Sequence, residues 1–233
     1  MADDLTQLYN SKHYDNFIDL LNDIDQKTTI NSRQLEVLIG SNFFEEFGKN
    51  KYLSSLKDLY EELGGKSQIK KDKLQEYIDK YGVTEDIISR HAGKETAKLY
   101  KDINMSDVIS ELSANIPNKS FSVKEQIQFE VEKIQHVSYV NPQVSNKFWA
   151  VVHMKTYSDE TKPYVTLHNI QTGEKKSTKI KKGNNFIENP FKLYSILKVD
   201  SFAEYPKTKQ IGGKWVSTGE MQDILEDWMV VQR

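Results

Sequence analysis

The apolar residues of this chain repeat every three to four positions up to about residue 136 and every second position after about residue 146. One such change of period constrains the fold more than any other feature, because a helix-period segment laid into a sheet would turn half its apolar face to water. Helices are predicted around Leu5–Tyr9, Tyr14–Ile24, Leu35–Ile39, Tyr52–Leu63, Leu74–Tyr81, the stretch after Thr84, and Met105–Leu112. Gly64-Gly65, Gly82 and Pro117 stand where stops belong. A further helix is predicted from Ser122 to about His136. Strands follow at 148–154, 164–170, 177–180, 194–199 and 214–216, with turns at Gln171–Glu174 and Gly212-Gly213. Residues 220–227 read as helical again, and 228–231 as extended. The chain is therefore expected to be α+β, with a helical domain at 1–116, a connecting helix and linker at 117–145, and a small β domain at 146–233.

Composition narrows the classes. The chain is 37% hydrophobic, 28% charged and 11% aromatic, which fits a folded globular protein rather than a disordered one. It has no cysteine, so disulfides, thiolate metal sites and cysteine nucleophiles are excluded together. No apolar run is long enough to span a bilayer and no leader pattern opens the chain, so a cytoplasmic protein without membrane contact is expected. Residues 1–116 hold 15 basic and 21 acidic side chains, and residues 117–233 hold 17 and 13. The second half is thus the better place for a polyanion.

Five or six short strands in about 85 residues suggest a small barrel, and the oligonucleotide-binding (OB) fold is the commonest of that size. Within it lies the basic run Lys175-Lys176-Ser177-Thr178-Lys179-Ile180-Lys181-Lys182. At period 2, Lys175, Lys179 and Lys181 share one face with Ser177, while Lys176 and Lys182 flank Thr178 and Ile180 on the other. One reading is a positive groove that tracks a single strand, with Tyr157 and Tyr205 stacking on bases. The other is a solvated edge strand that lysines protect from aggregation. Most remaining aromatics, Tyr164 and Trp215 among them, are expected in the barrel core.

The segment Asn31–Gly48 adds a second kind of information. Leu35, Leu38 and Ile39 line one helix face, with Ser32 as the expected cap. Asn42 ends the helix, Phe43, Phe44 and Phe47 plug a turn, and a second helix starts near Lys49. Helix, tight turn and helix is the form of a helix-hairpin-helix element, whose turn can offer N–H groups to phosphate. The residues Asn31, Leu35, Glu36, Leu38, Ile39, Phe44, Phe47 and Gly48 also match a motif near the end of the α subunit of bacterial and phage family C DNA polymerase III. His13–Leu21 resembles the segment that precedes this motif in the family. Glu130–Pro142 is similar to its Glu-x-Glu-x-Leu-Gly-x-Tyr-x-Ser-x-His-Pro, which leads into an OB domain. Asn42 and Gln135 stand where the family has glycine, Glu45 where it has Asp, and Asn141 where it has His. Glu45 and Glu46 in the turn would repel phosphate.

The resemblance implies a non-catalytic DNA-binding and scaffold part of a replicative polymerase, from a split gene or an expressed fragment. Its partners would be single-stranded or template–primer DNA, the catalytic part of the polymerase, and the sliding clamp or other replisome proteins. An incomplete hairpin region would leave Leu5, Leu8 and Tyr9 partly exposed. The rival reading is a replisome protein–protein module that has lost DNA contact, which the acidic helical half favours. No catalytic residue, metal site or cofactor is expected. Asp23-Ile24-Asp25 has the spacing of a polymerase metal pair but reads as a solvated helix end. His153 and His168 read as sheet residues that two neighbouring strands could bring together.

Overall fold

Side-chain oxygens begin many of the helices. In the computed structural model, which describes residues 2–180 and 183–232, Asn16, Asn31, Thr84, Asn104 and Ser122 each accept from the backbone N–H three positions on. Each relieves one of the donors that a helix start leaves open. At the motif helix the cap is Asn31, one residue before the expected Ser32, and the box is complete. The Asn31 N–H donates to the Gln34 amide oxygen at 3.1 Å.

The chain divides into two units, Met1–Ser120 and Phe121–Arg233. The first contains α1 (Ala2–Ser11), α2 (Phe17–Lys27), α3 (Ser32–Gly40), α4 (Asn50–Leu63), α5 (Leu74–Tyr81), α6 (Glu85–His91) and α7 (Met105–Ser113). Their apolar faces build two clusters, one around Leu20, Leu21, Ile39, Phe44 and Leu53, the other around Leu63, Ile88, Tyr100, Val108 and Ile109. Leu5 and Leu8 are 4% and 6% exposed, and Tyr9 is 37% exposed. The expected opening at α1 is therefore absent at its leucines, because α1 folds onto α2 and closes its own cluster.

This unit also holds a three-stranded antiparallel sheet that a helical reading of 1–116 misses. Its strands are β1 (Gln68–Lys70), β2 (Ala92–Glu95) and β3 (Leu99–Ile103), with β3 in the middle. Strands of three to five residues hold too few alternations to register a period.

In the second unit Ser122 caps α8 (Val123–Phe129), which runs into a wide π-type turn at Glu130–Ile134 and stops at Gln135, in the left-handed conformation at φ 61. β4 (Phe148–Lys155), β5 (Tyr164–Asn169), β6 (Lys175–Ile180), α9 (Gly183–Glu188), β7 (Ile196–Ile211) and β8 (Lys214–Gln232) follow. The strands close into a barrel in the order β4-β5-β6-β8-β7. β6 and β8 are parallel, and the other pairs are antiparallel. Trp149, Val151, Val165, Leu167, Leu197, Val199, Leu225 and Trp228 fill the interior, while Ile127 of α8 packs with Ala150, Ile170 and Ile196.

The predicted helix at 220–227 is β-strand. Met221, Ile224, Leu225 and Trp228 have helical spacing, but β8 pairs with β7 along its length, with irregularities between Pro206 and Thr208 and around Ser201. Such bulges shift which residues face inward and so blur a period of 2. At the tip, Gly212 and Gly213 have φ 56 and 80 and join Ile211 directly to Lys214. Two successive positive φ values give the type I′ turn that suits a two-residue hairpin. Barrel pairing of β7 and β8 to other strands ends by Ile224, so residues 204–222 form a two-stranded ribbon. Among the described residues no helix is long and apolar enough to cross a membrane.

Candidate nucleic-acid interface

Alternation along β6 turns Thr178 and Ile180 inward and leaves Lys175, Ser177 and Lys179 exposed. Antiparallel register then assembles a surface across three strands. Lys155, Tyr164 and Lys179 form one transverse row, and His153, Thr166 and Ser177 the next. The Thr166 and Ser177 hydroxyls lie 3.1 Å apart. The Lys155 ammonium sits 5.1 Å from the centre of the Tyr157 ring, and Tyr157 is 58% exposed.

Lys155, Lys175 and Lys179 make no ion pair with a described carboxylate. Lys175 approaches His136 Nδ1 at 3.5 Å. Lys176 is used differently. Its ammonium lies 3.3 Å from the Asp223 carboxylate and 4.7 Å over the Phe202 ring, so its charge is largely satisfied in place. Lys181 and Lys182 lie outside the described residues.

Lys179 also borders a cleft of about 900 Å³ beneath the ribbon, lined among others by Lys162, Tyr205, Thr208, Trp215 and Gln222. Trp215 is 70% exposed rather than part of the core, because it pairs with Gln210 beyond the last barrel contact. Tyr205 is half-buried, and its hydroxyl donates to Glu226 at 3.3 Å. Lys162 is held by Asp159 at 2.7 Å. The structure thus brings Lys179 and Tyr205 to one cleft with Lys162 and Trp215, sets Lys155 and Tyr164 in the row of Lys179, and leaves Lys175 at the other end of the same face of β6. The period-2 count already puts Lys155 beside His153. Trp215, two residues past a Gly-Gly turn, carries the signature of a hairpin tip rather than of a core.

The two histidines are not brought together. His153 is exposed opposite Thr166, whereas His168 is buried opposite Ala150. Burial pushes the His168 pKa down, and its Nε2 lies 2.7 Å from the Tyr139 carbonyl, which fits a neutral ring donating there. The same loop is fixed by the buried Glu130 carboxylate, which accepts from the N–H groups of Ser138 at 2.6 Å and Tyr139 at 2.9 Å.

Asp23 is not a solvated helix end. It is buried and bonded to Lys27 at 2.8 Å, Lys12 at 3.0 Å and the Tyr14 hydroxyl at 2.8 Å. The hydrogen bond from Lys27, aided by Lys12 and Tyr14, holds its carboxyl well below the usual carboxylate range, while burial and Asp23 push the Tyr14 hydroxyl up to about 12. Among the described residues no group of three or more His, Asp or Glu side chains could hold a metal.

The turn between α3 and α4 consumes most of its own donors. The N–H groups of Ser41, Asn42, Phe43, Glu45, Phe47 and Gly48 bond to carbonyls of residues 37–45. At the start of α4, the Lys49 N–H donates to Asn118 Oδ1 at 2.8 Å and the Tyr52 N–H to the Lys119 carbonyl at 3.2 Å. Glu45 and Glu46 are exposed beside them. This helix start is capped by the chain itself and fringed with negative charge, the opposite of a phosphate site.

Comparison of the chain with protein-family models, with curated proteins and with solved structures returns no match.

Proposed function

We propose that this protein is a non-catalytic, nucleic-acid-binding part of a replication polymerase of the family C type, and that its barrel is an OB fold holding a single strand. The observation that carries the reading is the barrel itself. Its five strands run in the order first-second-third-fifth-fourth, the third and fifth are parallel, and a helix stands between the third and fourth. An OB fold binds oligonucleotides across its second and third strands and through the loops after its first and fourth. Here those elements are β5, β6, the loop at 156–163 and the β7–β8 ribbon. They carry Lys179, Lys175, Tyr157, Lys162 and Trp215. Lys175 and Lys179, which make no ion pair with a described carboxylate, together with exposed aromatic rings suit phosphates and bases, which an oligosaccharide would not require.

The polymerase resemblance gains support from backbone conformation. Asn42 and Gln135 replace family glycines, and both adopt the left-handed conformation, at φ 60 and 61. Glycine is the default residue there. The self-capped turn at 41–48 favours the second reading for that element: a protein-docking surface, with the apolar groove of Leu5, Tyr9, Leu38 and Phe43 beside it.

The test is fluorescence anisotropy of a labelled single-stranded oligonucleotide from about 50 to 200 mM salt, on the full chain and on the variant combining Lys155→Gln, Lys175→Gln and Lys179→Gln. Three lost phosphate contacts should flatten the slope of log affinity against log salt by up to about 2. An unchanged slope overturns the assignment of this face.

A further inference from the structure

The helical unit is acidic as a whole, yet its small sheet concentrates positive charge on one side. Strand register sets Gln68, Lys101 and Lys94 in one row across β1, β3 and β2, and Lys70 opposite Leu99 in the next. Residues directly opposite share a face, so Lys94 and Lys101 stand side by side, strands being about 4.8 Å apart. Tyr100 and Ile69 point the other way, into the core. Lys98, at the hairpin between β2 and β3, extends the patch into a cleft of about 550 Å³ that Lys70, Lys71, Asp72 and Leu99 also line.

Of the carboxylates near this face, Glu95 is engaged, Asp72 lies at the rim, and Asp102, exposed next to Lys101 along β3, makes no ion pair with a described residue. Glu95 pairs with Lys71, whose ammonium sits 4.7 Å over the Tyr100 ring, so Lys71 is fixed in the fold. Asp72 borders the cleft. Lys70, Lys94, Lys98 and Lys101 make no ion pair with a described residue, and the first three are exposed. Like charges directly opposite on a sheet face are destabilising. The face therefore carries an electrostatic cost that a polyanion would reverse.

We propose that the outer face of β1–β3–β2, with Lys70, Lys94, Lys98 and Lys101, is a second nucleic-acid surface, distinct in chemistry from the barrel face, and that its ligand is the phosphate backbone of a duplex. The choice of duplex follows from what the face offers. Its cross-strand rows present Gln68, Lys70, Leu99, Lys101 and Lys94, so there is no ring among them for an unstacked base. Closely spaced ammonium groups match a rod carrying one charge per about 1.7 Å of axis. Binding there is sequence-independent and strongly salt-dependent.

The full chain is titrated into a labelled blunt-ended duplex between about 50 and 200 mM salt, beside a variant combining Lys70→Gln, Lys94→Gln, Lys98→Gln and Lys101→Gln. Loss of four phosphate contacts should lower the slope by up to about 3.6, while the slope for the single-stranded oligonucleotide stays as in the parent. Lysine-reactive footprinting of the parent chain reads the same surface without any variant: duplex should protect these four lysines. An unchanged duplex slope, or four lysines equally reactive with and without duplex, overturns the proposal. So does protection by anionic lipid vesicles but not by duplex. Failure of the barrel variant would leave these readouts untouched, so the two surfaces stand or fall separately.

Discussion

The turn after α3 and the tip of the β7–β8 ribbon treat their aromatic residues in opposite ways. Phe44 is fully buried, tilted against Phe17 at 5.4 Å between ring centres and edge-on to Phe43 at 5.0 Å, in a turn that spends most of its donors internally. Trp215 stands mostly in solvent, over a cleft that contains Lys179. Both regions are hairpin connections with aromatic residues at or near the bend. Saturation separates them. A bend that satisfies its own polar groups and buries its ring has finished its task in folding. A bend that leaves a large ring uncovered beside an unpaired ammonium still has free energy to gain from a ligand.

The contrast breaks most visibly at Phe44. Phe44→Ala should destabilise its unit by about 3–5 kcal/mol, measured by urea unfolding, and should leave oligonucleotide affinity of the folded protein unchanged. Trp215→Ala should do the reverse. It should cost about 1–3 kcal/mol of single-strand affinity with little salt dependence, while the unfolding midpoint barely moves. A large loss of stability at Trp215 would erase the distinction.

Asp23 sharpens the contrast on the polar side. Its folded carboxyl is held below the unfolded value of about 3.9, so its contribution is complete above about pH 4 and is lost as pH falls through the folded value. Asp23→Asn should therefore cost about 1–2 kcal/mol near neutral pH and much less near pH 2. Unfolding curves at both pH values decide it. The smallest effect belongs to Gln135. Glycine accepts its left-handed backbone without the Cβ penalty, and Gln135→Gly should stabilise by about 0.5–1 kcal/mol.

Much of the architecture is legible in the sequence. Amphipathic helices such as Phe17–Lys27 and Asn50–Leu63 announce themselves because one face is buried along their whole length. The strands of the barrel do so because one side of each faces the core. What stayed hidden has physical reasons. The β1–β3–β2 sheet is too short for a period to show. Residues 220–227 mimic a helix because bulges reset the inward face of β8. Trp215 was expected in the core because composition does not say where a strand leaves its barrel. For the candidate site, the alternation of Lys175 and Lys179 was readable from the chain. The rows that add Lys155 and Tyr164 needed the cross-strand register. Asp23 looked solvated because Lys12 and Tyr14, which enclose it, lie 11 and 9 residues earlier.

The ribbon at 204–222 has one more consequence. A closed barrel has no edges, but this extension has two, each a row of backbone donors and acceptors open to another chain. Pro206 has no N–H to offer, and Lys209 and Lys214 set positive charge along the arm, whereas Lys207 is paired with Glu220 at 2.9 Å. These charges keep copies of the protein from zipping together strand to strand, whatever ligand the arm receives. High salt or lysine acetylation weakens that barrier, and Ile211 and Val216, both exposed on the ribbon, then favour pairing of this edge with another chain.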